Sequence, residues 1–205
     1  MEKNLYRGTL LFFITACLLY TGLSPYDRLT WFMEVLPVIL ALPVLILTRR
    51  KYPLTNLLYF LIFVHCLIPI TGGKYTYAKV PLGFWLQDLF HFTRNHYDRI
   101  GHFAQGFVPA ILAREILLQG QFINGKKMLA FIVICICLAV SAAYELIEWL
   151  AAVILGQGAD AFLGTQGDNW DTQWDMFMAL CGATAALVTL SRLHDEQIVK
   201  LKSRA

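Results

Sequence analysis

Charge is scarce in this sequence. Asp, Glu, Lys and Arg make up 15% of its 205 residues, against about 25% in an ordinary soluble domain. The net charge of +3 is small and dispersed, which excludes the basic footprint of a nucleic-acid binder. A disulfide framework is missing too. The five cysteines (Cys17, Cys66, Cys135, Cys137 and Cys181) all sit inside apolar runs, where none reads as part of a paired set. Cys135 and Cys137 are two apart and point to different helix faces, so they do not share a metal. No internal repeat and no low-complexity tract is present. The Gly-rich run GQGADAFLGTQG, residues 156–167, lacks the GK[ST] ending of a phosphate loop, so it reads as turn geometry. No Ser or Cys stands where a covalent nucleophile would be expected.

What fills the chain instead is apolar. Hydrophobic residues reach 58% and the mean hydropathy is +0.56, which marks a multi-span membrane protein. A helix crosses a core of about 30 Å with about 20 mostly apolar residues. Six segments qualify: 8–23, 31–48, 54–70, 99–119, 128–152 and 172–191. Lipid demands a backbone satisfied within the segment, so a sheet is excluded. The expected fold is all-α, a polytopic membrane helix bundle, with residues 1–205 forming one integral membrane domain. Lys3 and Arg7 precede the first apolar run as in a signal sequence. The run continues past Cys17 through LLYTGL, so it reads as an uncleaved first span.

Orientation follows from the loop cations. Lys3, Arg7, Arg49, Arg50, Lys51, Arg114, Lys126, Lys127, Arg192, Lys200, Lys202 and Arg204 fall on one side. Arg28, Lys74, Lys79, Arg94 and Arg99 fall on the other. Both termini are therefore expected in the cytoplasm. The outer segment 71–97 contains VPLGFWLQDLFHF, in which Pro81 suits a first helical turn. Trp85, Leu86, Leu89 and Phe90 would share one face of a short interfacial helix; a lid or re-entrant hairpin is the rival reading. The last dozen residues read as a polar cytoplasmic tail.

The few ionisable residues inside the spans are not scattered. At 1.5 Å per residue, Glu145 lies roughly 27 Å above Lys127. Asp175 lies roughly 25 Å above Arg192, and His102 the same above Gln119. Three helices thus bring polar groups to one outer depth. Asp98, His102 and Gln105 share a helix face, as do Ser141, Glu145 and Glu148, and Asp171 with Asp175. Asp168 lies just before them, and Glu34 and His65 near the outer ends of the second and third spans. Trp149, Trp170 and Trp174 fit an aromatic belt. Intramembrane ionisable residues are costly and usually face a cavity. Asp98, His102, Glu145 and Asp175 are accordingly the candidate catalytic residues. With Asp171, the same four form a candidate divalent-metal site of mixed oxygen and nitrogen donors. Glu148, Asp168, Gln105, Glu34 and His65 are secondary candidates. CGATAA, residues 181–186, and Ala104, Gly106, Ala110 and Ala113 offer small surfaces for close helix packing.

Over its full length the chain resembles the YjdF-like family of bacterial inner-membrane proteins, which has no established biochemical function. More distantly, DRIGHF, ELIEW and DTQWDMFMALCGA are similar to VanZ-like membrane proteins. Asp98, Arg99, His102, Glu145, Asp175 and Gly182 match that pattern. Glu148 stands where Gln is usual there, and Ala179 where Asn would fall. The resemblance implies the bacterial inner membrane, an outward-facing site and a cell-envelope substrate.

Three functions are compatible with these residues. In the first, the outer site binds a divalent metal and hydrolyses or modifies a lipid-linked envelope substrate, or His102 acts as general base oriented by Asp98. The second is a proton- or cation-coupled carrier, against which stand the dry inner halves and the missing repeats. The third is a non-catalytic accessory subunit that docks a partner.

Overall fold

The computed structural model describes residues 2–156 and 160–203, all helix or connection, with no strand among them. The helices are α1 (Glu2–Leu23), α2 (Arg28–Thr48), α3 (Asn56–Tyr75), α4 (Pro81–Phe90), α5 (Tyr97–Gln119), α6 (Lys126–Leu155), α7 (Asp160–Leu163) and α8 (Asp171–Lys202). Residues 157–159 of the Gly-rich run lie outside the described residues, as do Arg204 and the side chain of Lys3. The expected multi-span bundle is what forms.

Five helices (α1, α2, α3, α6 and α8) are long and apolar enough to cross a membrane. The expected fourth span is α5. At 23 residues it is long enough, but it carries Asp98, Arg99, His102, Gln105, Arg114 and Glu115. It tolerates them because α3, α6 and α8 surround it, so its polar residues face protein rather than lipid. Ten of its residues are buried, from Tyr97 to Glu115.

The pairing of α5 with α8 is the largest helix contact, and small residues make it possible. A Cβ on Gly106 would fall 1.9 Å from the Ala179 carbonyl oxygen, and one on Gly182 would fall 2.0 Å from that of Phe103. The two backbones touch, as the small-residue runs suggested. Ala110, Ala183 and Ala186 continue the seam toward the cytoplasm, where Ile111, Val133 and Cys137 seal it with no exposed surface.

One segment departs from expectation. The C-terminal tail is helical: α8 runs on to Lys202, with His194 and Ile198 buried. Gln197 accepts a hydrogen bond from the Leu57 backbone N–H (2.9 Å) at the start of α3, which fixes the extension. The outer segment 71–97 contains α4, whose Leu82, Phe84, Trp85, Leu89 and Phe90 are exposed. A short helix with exposed apolar side chains forms where the sequence suggested one. Asn95 anchors it by donating to the Val80 carbonyl (3.0 Å).

Candidate functional site

The stretch GDNWDTQWDM splits its carboxylates between two environments. Asp168 and Asp171 stay at the outer rim. Asp168 accepts from Arg99 (2.9 Å) and lies 3.7 Å from Arg94. Asp171 accepts from Arg94, which also donates to the Thr165 carbonyl. Beside them the Gln166 side-chain amide pairs with the Asn95 backbone, donating to its carbonyl (2.8 Å) and accepting from its N–H (3.2 Å). The rim therefore carries two arginines against two aspartates and stitches the α4–α5 connection to the segment before α8. Trp174 is half exposed, as a belt residue would be, and its ring also supports Arg99 at 5.1 Å.

One turn deeper the balance changes. Asp175 is 2% exposed and His102 4%. Asp98, His102 and Asp175 each offer a ligand atom, and these atoms all lie within 4.8 Å of one another. His102 Nε2 is 3.7 Å from Asp98 Oδ1 and 3.7 Å from Glu145 Oε1. None of those contacts is a hydrogen bond. His102 Nδ1, Glu145 Oε1, Asp175 Oδ1 and Ser141 Oγ are buried with no partner. Buried polar atoms are almost always paired, so these unpartnered atoms mark the cluster as a candidate ligand site. Asp171 does not join this group; Arg94 holds it at the rim.

On the α2 and α3 side the same Asp98 and His102 border a cavity of about 200 Å³. Glu34, His65, Gln105 and Glu148 also line it. Glu34 and His65, both secondary candidates in the sequence, reach it from two separate helices. Tyr77 and Tyr144 were not anticipated, and both face the cavity. Helix α6 presents two neighbouring stripes rather than one. Ser141 and Glu145 are buried on one, while Val140, Tyr144 and Glu148 line the cavity on the other. Among the described residues no Lys or Arg lines it. Three helix-interior prolines, Pro37, Pro69 and Pro109, form part of the wall. Each leaves the carbonyl four residues earlier without its helical donor, which adds acceptors at Met33, His65 and Gln105.

The arrangement is thus rich in acceptors and poor in cations. Carboxylates at this spacing in a buried site hold together only around a cation or shared protons. One His nitrogen and two carboxylate oxygens suit a divalent ion such as zinc, which is borderline, or manganese, which favours oxygen donors.

A multi-pass helical membrane protein with a buried acidic cluster among its helices is the class that this fold defines. The chain belongs to the family described as Predicted membrane protein (DUF2238), whose model matches residues 6–196. It is 56% identical over 196 residues to Inner membrane protein YjdF of Escherichia coli (strain K12), covering 96% of this chain and 94% of that relative. No solved structure matches. It is an integral protein of the inner membrane, as the resemblance in its sequence implied.

Proposed function

We propose that this protein is a metal-dependent enzyme that hydrolyses or modifies a lipid-linked substrate at the outer leaflet. The observation that carries the reading is the convergence of Asp98, His102 and Asp175 within 4.8 Å, among buried polar atoms that lack partners. These three residues would hold the ion. An ion in such a site lowers the pKa of a bound water and supplies a nucleophile at neutral pH. Glu145 has a free oxygen beside His102 and would serve as the general base that accepts a proton from an attacking water and returns it to the leaving group as the scissile bond breaks.

The position of the cavity supports a lipid-borne substrate. Helices α2 and α6 flank it without an extensive contact between them. Pro37 of α2 and Val140 of α6 line it and are exposed on the outside of the bundle. A substrate anchored in the leaflet would enter sideways between them. The seal of Ile111, Val133, Cys137, Ala183 and Ala186 below the site favours one-sided chemistry over a carrier.

Turnover tests this reading. The purified protein, in nanodiscs with an envelope-lipid extract and Mn²⁺ or Zn²⁺, should release a water-soluble product detectable by mass spectrometry. His102→Ala and Glu145→Gln should abolish release while still accumulating in the membrane. Equal release by the wild type and Glu145→Gln would rule the enzyme reading out.

A further inference from the structure

A second cavity lies at the cytoplasmic end of the bundle, where nothing described so far acts. Helices α1 and α2 are joined at their outer ends, where Trp31 Nε1 donates to Thr21 Oγ1 (3.1 Å). Elsewhere they pack little on each other. Between them, with α3 as floor, is a space of about 370 Å³. Its walls are aliphatic: Leu11 and Ile14 from α1, Leu42 and Ile46 from α2, Ile62 from α3. Its rim is Arg7, Arg49 and Arg50.

Among the described residues no carboxylate lines the cavity, and none of the three arginines forms an ion pair. Arg7 is held in place from both sides. Its guanidinium carbon lies 4.5 Å from the centre of the Tyr59 ring, and Nη2 donates to the Leu54 carbonyl (3.4 Å). Its Nε is buried and unpartnered. A guanidinium fixed by an aromatic face with donors to spare matches a phosphate oxygen.

We infer that this groove binds an anionic phospholipid of the cytoplasmic leaflet. The phosphate sits among Arg7, Arg49 and Arg50, at the helix ends where headgroups lie. An acyl chain runs up between α1 and α2; from Arg7 to Ile14 the wall is about 10 Å deep. Basic pockets between spans on the cytoplasmic side are built for this class of headgroup. A zwitterionic lipid cancels the arginine charge less well, and a free phosphate leaves the aliphatic walls uncovered.

Lipid retention on the purified full chain provides the test. Native mass spectrometry would count phosphatidylglycerol and phosphatidylcholine carried by the protein. Phosphatidylglycerol should be retained about tenfold better, equivalent to 1.4 kcal/mol. R49Q/R50Q should lose that preference. Both side chains are exposed and make no hydrogen bond in the fold, so this variant should fold. K126Q/K127Q removes the same charge from the same side of the membrane and should keep the preference. Equal retention of the two lipids, an equal loss in K126Q/K127Q, or displacement of the lipid by inorganic phosphate would each overturn the assignment.

Discussion

Three aspartates within eight residues serve two purposes. Asp175 points down to His102 and Asp98, and Asp171 points across to Arg94. Sequence spacing placed both on one face of α8 and so grouped them as ligands. It carried no information about Arg94, which arrives from 77 residues away. Asp98 and His102 were legible because their i, i+4 spacing and common depth with Glu145 and Asp175 need only helix geometry. Tyr77 was not legible, since it follows a break in the helix and belongs to no periodic stripe. Tyr144 was hidden by its neighbour Glu145, which set the stripe. The division between rim and centre gives a prediction. Asp171→Asn should weaken the tether to Arg94 and lower stability by about 2 kcal/mol, the scale of a charged hydrogen bond. Thermal unfolding in detergent measures this. The same variant should respond to divalent ions as the wild type does; a lost response would return Asp171 to the ligand set.

At the scale of elements, small residues and buried polar bonds do different work at the two ends of α5. Near the outer half, Gly106 and Gly182 let α5 and α8 touch. The runs of Gly and Ala made this contact readable in the sequence. Gly106→Leu should separate the helices and cost at least the 1–3 kcal/mol typical of overpacking, seen as poor accumulation and a lowered melting temperature. At the cytoplasmic end, Glu115 and His194 are 0% exposed. Glu115 accepts from Thr55 N–H and Oγ1 (both 2.7 Å), Gln119 (2.9 Å) and His194 Nε2 (2.8 Å). Arg114 donates to His194 Nδ1 (3.0 Å), which leaves Nε2–H free to donate to Glu115. This network ties the start of α3 and the ends of α5 and α8 together. The sequence hid it because a polar stretch after the last apolar span reads as a loose tail. Its buried stripe, His194 and Ile198, shows only once α3 is in place. Removing one partner from such a network costs about 3–5 kcal/mol, so Glu115→Ala should unfold far earlier than the wild type in a denaturant titration. An unchanged midpoint would contradict that role.

For the whole molecule, chain direction alternates so that the basic ends gather on one side. Arg7, Arg49, Lys126 and Lys200 share that side, and the Arg94–Asp168 rim sits on the other. The positive-inside rule makes the first side cytoplasmic. All five cysteines are free, so a cysteine-free background is attainable for labelling. Single cysteines at Tyr52 and Asn124, both exposed, should react only with reagents that enter the cytoplasm. One at Asn169 should react from outside. The reverse pattern would put the acidic site on the cytoplasmic face and remove its access to envelope substrates.

The central claim, that Asp98, His102 and Asp175 hold a divalent cation, is tested most directly by thermal unfolding of the purified protein with and without Zn²⁺ or Mn²⁺. The account predicts a saturable rise in melting temperature, equivalent to about 2.7 kcal/mol at a hundredfold excess over Kd. Asp175→Asn should abolish the rise. No rise with either ion, or an equal rise in Asp175→Asn, would contradict it.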